Sequence, residues 1–267
     1  LKTRLISKSE FLQLTGRAGR RGIDSKGYAY INYDKRVENS WYNDLFDLKP
    51  NNLKSSYSNS YGSVLNLNNK YGEKKGIEMI KKSFYSYQNK LNDKALETNY
   101  KAKLKVLNEM NYFTDLKKNK LLTETHRDNL ILGIEMLNEN NDIEFCLMFL
   151  ASGISTSKYE ISVHDKYKDL LTKYLITQEK VNKLEAFSGV KNKINLDITW
   201  FSIFLEFYNS DNIEYTLSKF NVTLGDFIKA CREASEISQK VYSIYEIENF
   251  DKIAKKLKHN IIQKTMI

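Results

Sequence analysis

From Arg127 to Ile267 apolar residues return at helical spacing, and this periodicity limits most of the chain to helix packed on helix. Leu130, Ile131, Ile134 and Leu137 mark one stripe, and Phe145, Leu147, Met148, Phe149 and Leu150 crowd the next segment. The run ITWFSIFLEFY around Trp200 supplies another. Helices this apolar are stable only inside a bundle, so their Met and aromatic residues read as core. In NVTLGDFIKACREASEISQKVY, Thr223 with Asp226 three residues later is an N-cap signal. Phe227, Ala230, Cys231, Ala234, Ile237, Ser238 and Val241 then trace a buried stripe, opposite Lys229, Arg232, Glu233, Glu236, Gln239 and Lys240. A last helix from Phe250 to Lys264 turns Ile253, Leu257, Ile261 and Ile262 inward. The charged run from Lys180 to Lys193 reads as solvated faces and connectors.

The opening residues follow a different pattern. Ser7 and Glu10 stand at capping-box spacing, which predicts a short helix from Lys8 to about Thr15. It delivers the stretch QLTGRAGRRGID, Gln13 to Asp24, in which Gly16, Gly19 and Gly22 recur every third residue. Such glycines let a backbone turn tightly and approach a ligand. Arg17, Arg20 and Arg21 supply planar, permanently charged donors suited to phosphate. GYAYINYD, Gly27 to Asp34, reads as a strand, so helix, arginine turn and strand make a piece of an α/β nucleotide-handling domain. Lys35 to Asn52, with Pro50, reads as a connector, placing a boundary near residue 50. Tyr57, Tyr61, Val64, Leu65 and Leu67 then share a helical face, although serines and glycine make that segment a poor helix by propensity. Leu104, Leu107 and Met110 form a further helical face, and Tyr112–Phe113 with Lys120–Thr123 could pair as a small hairpin.

Charge and the rarer residues narrow the classes of function. A net charge of +9 and a pI of about 9.2 favour an anionic partner, although lysine-rich coding bias produces the same sum. Cys146 and Cys231 sit in apolar helical patterns, as core thiols in a reducing, cytoplasmic setting do. His126, His164 and His259 lack metal-ligand spacing, so no metal site is predicted. No apolar run approaches the length of a membrane span, and the start does not look like a secretion signal.

The stretch Gln13 to Asp24 resembles the last conserved motif of superfamily-two helicases, Gln-x-x-Gly-Arg-x-Gly-Arg. Its continuation through Arg21, Gly22, Ile23, Asp24 and Gly27 is similar to the superkiller-type DExH branch. Three further stretches follow in collinear order. Ser55 to Leu67 resembles that family's Ser-Ser-Phe-x-x-x-Tyr-x-x-x-Leu-Asn-Leu segment, with Tyr57 in place of phenylalanine. Ile77 to Gln88 looks like its helix ending in Ser-Phe-x-x-x-Gln, and Thr223 to Tyr242 like its Gly-Asp ratchet helix, with Lys229 where arginine is usual. About twenty residues separate Asp34 from Leu53, too few for an arch insertion, so the likeness is closer to the compact bacterial members.

The resemblance implies a mainly α fold: the end of a RecA-like α/β domain and connector (1–50), a winged-helix-like domain (51–126) and a helical bundle (127–267) with its ratchet-type helix at about 223–242. It implies an ATP site shared with an upstream RecA-like domain, where Gln13, Gly16, Gly19 and Asp24 lie by the nucleotide. Arg17 and Arg20 would face the γ-phosphate, Arg20 as the arginine finger. It implies strand contacts from Lys229 and Arg232, with Glu236 as a polar neighbour. No phosphate loop GxxxxGK[ST] and no DExH tetrad occurs in the chain, so its magnesium ligands are expected upstream and the chain alone should not hydrolyse ATP. The expected function is the C-terminal part of an ATP-dependent 3′ to 5′ RNA helicase, with single-stranded or tailed nucleic acid, RNA above all, and a nuclease or complex as partners. A DNA helicase of repair or defence, and a non-enzymatic binding module keeping a motor remnant, are the alternatives.

Overall fold

The computed structural model describes residues 5–20, 22–46, 55, 59–89, 93–139, 141–154, 159, 161–191 and 193–264. The chain divides into two compact units, Leu1–Ser55 and Ser56–Ile267. Arg21, Leu53, Ser56 and Tyr57 lie outside the described residues, as do the side chains of His259, Ile261 and Ile262.

The first unit contains α1, Lys8–Thr15, and α2, Asn39–Phe46. The capping box of α1 forms as the sequence predicts. The Ser7 hydroxyl accepts from the Glu10 amide at 3.4 Å, and the Ser7 amide donates to the Glu10 carboxylate at 2.9 Å. Aromatic residues hold the unit together: Trp41 Nε1 donates to the Ile6 carbonyl at 3.2 Å, and the rings of Phe11 and Phe46 meet edge to face. Two expectations are corrected here. The connector from Lys35 contains a helix, α2, whose Leu45 is the unit's single buried residue among those described. The expected strand Gly27–Asp34 is irregular, and no strand occurs among the described residues. A strand needs a neighbour to complete its hydrogen bonds, and Tyr28, Tyr30 and Tyr33 remain 70%, 92% and 60% exposed instead.

The second unit is helical among its described residues and carries one extended core. It begins with α3, Tyr61–Lys81, started by Ser60 and broken where Gly72 takes φ +74°. The stretch Ile77–Gln88 spans two helices, the end of α3 and α4, Phe84–Asn89. α5 is Asp93–Glu109 and α6 is Leu116–Thr125. The hairpin expectation fails at α6. The Asp115 carboxylate accepts from the amides of Lys117 and Lys118, both at 3.0 Å, so Lys120–Thr123 continue a capped helix that buries Leu121 and Leu122.

The remaining helices are α7 (Leu130–Ile134), α8 (Ile143–Ser152), α9 (Lys168–Ser188), α10 (Thr199–Ser210), α11 (Ile213–Phe220), α12 (Leu224–Tyr245) and α13 (Glu248–Lys264). Phe145 to Ala151 are buried throughout α8, as its continuous apolar run requires. α12 and α13 pack closely because small residues face the seam. Ser238 Oγ donates to the Phe250 carbonyl at 2.7 Å and Ser235 Oγ to that of Ala254 at 3.3 Å. Both cysteines are buried and unpaired by disulfide, and burial pushes the Cys146 thiol up to about 12. Among the described residues no helix is long and apolar enough to cross a membrane.

Candidate functional site

In the first unit the glycine-arginine stretch forms a tight turn. Gly16 ends α1, its amide donating to the Leu12 carbonyl at 2.9 Å. Gly19 and Gly22 take φ +82° and +79°, a region costly for other residues. A Cβ on Gly27 would run into the Ala18 carbonyl, so this glycine is set by close packing of the turn on its return. The turn fixes Arg20. Its amide and Nε donate to Asp24 Oδ2 at 2.7 and 3.1 Å, and Nη2 reaches Oδ1 at 3.3 Å. Arg20 beside it holds the Asp24 carboxyl below the usual carboxylate range. The Arg20 side chain is nonetheless 73% exposed, so much of its charge still faces outward.

Gln13 and Arg17 occupy a different place in the same unit. With Ile6, Glu10 and Leu14 they line an open cleft of about 400 Å³, one helical turn apart. Of the residues expected to handle nucleotide, Gln13 and Arg17 thus share a surface, whereas Arg20 and Asp24 form a separate clamp outside the cleft lining. Gly16 and Gly19 shape the turn between them.

In the second unit, α12 begins as predicted. Thr223 Oγ1 accepts from the Asp226 amide at 3.2 Å and donates to the Asp226 carboxylate at 2.9 Å. Asp226 also accepts from Tyr159 Oη at 2.6 Å, so the Gly-Asp residue ties the helix start to a distant segment. The expected stripe from Phe227 to Val241 is buried residue for residue. Lys229, Arg232 and Glu236 are all exposed on the opposite side, spaced so that they share a face. Lys229 lies 4.0 Å from Glu233, which also receives Arg127 Nη2 at 3.0 Å. Lys240 Nζ donates to the Glu124 carbonyl at 2.7 Å, closing the far end of that face against α6. Arg127 was not legible as part of this surface, because it stands far from α12 in sequence and no spacing rule links them.

A second polar centre was missed altogether. The Asp128 carboxylate accepts from the Tyr61 amide at 2.8 and 3.0 Å and lies 3.5 Å from Lys103 Nζ, which sits 4.4 Å from the Tyr61 ring centre. Tyr61 Oη in turn donates to Glu185 at 2.8 Å, and the Ile194 amide donates to the other Glu185 oxygen at 3.0 Å. Glu185 has no exposed surface, which corrects the reading of Lys180–Lys193 as wholly solvated. A lone glutamate in a lysine-rich run carries no sequence signal of burial.

No protein-family model matches the chain. It is 37% identical over 86 residues to the "Uncharacterized helicase C17H9.02" of Schizosaccharomyces pombe, covering 32% of this chain and 8% of that protein. It is 36% identical over 83 residues to the "Probable helicase HelY" of Mycobacterium tuberculosis, covering 31% and 9%. Over 144 residues it is 31% identical to the "DExH-box ATP-dependent RNA helicase DExH10" of Arabidopsis thaliana, covering 48% and 14%. The matches thus span about a tenth of the length of these curated relatives. Over part of its length the chain is similar to DExH-box helicases.

Proposed function

We propose that this chain is the rear portion of an ATP-dependent RNA helicase of the superkiller type, closest to the compact members without an arch insertion. Translocation would run 3′ to 5′ along single-stranded or tailed RNA. The observation that carries this reading is the turn from Gln13 to Asp24, where positive-φ glycines frame an Arg20 held by Asp24, in a chain with partial similarity to DExH-box helicases.

In this reading Gln13 and Arg17 face bound nucleotide from their shared cleft, and Arg20 is the arginine finger. Bound ATP with magnesium supplies the phosphoryl group whose hydrolysis drives the motor, and the phosphate loop and magnesium ligands belong to an upstream domain. The residues present fit the phosphate side of such a site: exposed guanidinium groups on a turn that admits close approach. The Arg20–Asp24 clamp keeps the finger oriented before it meets its anion, which lowers the entropic cost of engagement. Lys229 and Arg232 hold the strand by phosphate charge, with Glu236 shaping the path. The α3, α5 and α6 group is read as the counterpart of the winged-helix-like portion, without a hairpin among the described residues, and the helices after it as the bundle.

Arg20→Ala in the intact protein should lower strand-stimulated ATP turnover by about 10³-fold while sparing strand affinity. Retained turnover would remove the finger assignment. Unwinding of matched tailed RNA and DNA duplexes tests the substrate. Preference for DNA would move the function to a DNA helicase, and absence of ATP-dependent unwinding on both would leave a binding module.

A further inference from the structure

α12, the helix proposed to hold the strand, carries no excess of positive charge of its own. Lys229, Arg232 and Lys240 are matched in number by Asp226, Glu233 and Glu236. Lys240 Nζ is turned to the Glu124 carbonyl, and the Asp226 carboxylate is taken up by Thr223 and Tyr159. That leaves Lys229 and Arg232 against Glu233 and Glu236 on the outer face, a balance with no net pull on a polyanion. The surplus cation comes from another element. Arg127, on the turn between α6 and α7, stands beside Glu233.

That place is fixed by a row of ties. α6 runs antiparallel along α12: Lys117 Nζ lies 5.6 Å from the Tyr245 ring centre, Lys240 Nζ donates to the Glu124 carbonyl at 2.7 Å, and Arg127 Nη2 donates to Glu233 Oε2 at 3.0 Å. His126 closes α6 at φ +52° and turns the chain out of the helix. The Asp128 carboxylate then anchors the following residue on the Tyr61 amide at 2.8 Å. Between these two points the Arg127 side chain is 39% exposed, and Nη2 is its one bonded nitrogen among the described residues. The other Glu233 oxygen lies 4.0 Å from Lys229 Nζ, so one carboxylate sits between a lysine of α12 and an arginine from outside it. An ion pair this open to solvent contributes little to folding, so its effect is on where the guanidinium stands.

We propose that Arg127 is a further phosphate contact of the strand on α12, with Glu233 as the residue that positions it. A guanidinium offers five donors in a fixed fork, so one can stay on Glu233 while others take a phosphate oxygen. With Arg127 the face holds three cations against two carboxylates, and the strand site spans two elements, α12 and the α6–α7 turn. The proposal rests on the α12 reading and adds to it a residue far away in sequence.

The test is fluorescence anisotropy of labelled twelve-residue oligouridylate and oligothymidylate with the intact protein across a potassium chloride series. Arg127→Ala should weaken binding about fivefold to tenfold and flatten the log–log salt slope by about 0.7, the share of one single-strand phosphate. Arg127→Lys should keep the wild-type slope, since the charge remains. Lys252→Ala on α13, which removes one charge elsewhere, should stay within about twofold. Glu233→Ala should weaken binding in the wild-type background and tighten it in the Arg127→Ala background, where only its repulsion is left to lose. Tightening in both backgrounds would make Glu233 a repelling charge and overturn its positioning role. If Arg127→Ala behaves like Lys252→Ala, or loses affinity with the slope unchanged, Arg127 is a structural residue and the proposal fails. A loss of affinity and slope in Lys229→Ala with Arg232→Ala would then leave the α12 reading standing. If that pair and Arg127→Ala all leave binding unchanged, the α12 reading falls and this contact falls with it.

Discussion

A glutamate without exposed surface needs a donor for each oxygen, and Glu185 has them in Tyr61 Oη and the Ile194 amide. Burial first, then the nearby Glu185, pushes the Tyr61 phenol well above its usual value, so it remains a donor at every workable pH. Glu185→Ala should therefore cost about 2–4 kcal/mol in urea unfolding, because it strands two buried donors at once. Tyr61→Phe should cost less, about 1–2 kcal/mol, since one oxygen of the carboxyl keeps its partner. Equal costs would show that the hydroxyl carries the whole interaction. At the arginine turn the same chemistry is exposed to solvent. Asp24 titrates below its ordinary 3.8 because Arg20 favours its charged form, so the clamp is complete above that value and opens as pH falls through the lowered one. Carboxyl resonances of Asp24 followed by NMR should move there, and a midpoint at or above 3.8 would dissolve the clamp. Gln13, Arg17 and Arg20 were legible from a motif; Glu185 was not, because nothing in a lysine-rich run marks which residue points inward.

At the scale of the element, caps and periodicity carried most of the information. Ser7 with Glu10, and Thr223 with Asp226, start helices where the spacing predicts. The α12 stripe was readable because small residues recur in register with apolar ones, and that register explains the close approach of α13. Ser238→Leu should push the two helices apart and cost about 2–3 kcal/mol, measured by thermal unfolding, whereas Gln239→Leu on the exposed side should cost almost nothing. Similar effects from both would break the assignment of faces. Asp226→Ala should keep the cap amide but lose the carboxylate's bonds from Thr223 Oγ1 and Tyr159 Oη together, about 1–3 kcal/mol, with the loss reduced in a Tyr159→Phe background. Elements that depend on a neighbour fared worse. The run Gly27–Asp34 has strand composition but no partner among the described residues, and Lys120–Thr123 follows Asp115, whose side chain commits the backbone to a helix instead.

Across the whole molecule, stability is distributed unevenly. The second unit carries an extended core in which Phe204, Phe207, Phe227 and Phe250 are fully buried, whereas Leu45 is the one buried residue among those described in the first. Phe227→Ala should therefore lower the main unfolding transition by about 3–5 kcal/mol, and Leu45→Ala should leave that transition in place while loosening the arginine turn's unit. A common shift in both variants would mean that the units unfold together. The sequence by itself determined the helical character, the buried stripe of α12, the turn residues and the motif that points to a helicase, because these depend on neighbours within a few positions. Only the tertiary structure decided that Arg20 is paired with Asp24 outside the Gln13–Arg17 cleft, that Arg127 joins the α12 face, and that Glu185 is buried against Tyr61. Arg127 meets Glu233, and Tyr61 meets Glu185, across long stretches of sequence, where packing chooses the partner and local propensity is silent, whereas Arg20 and Asp24 stand four residues apart and meet through the turn that Gly22 makes between them at positive φ.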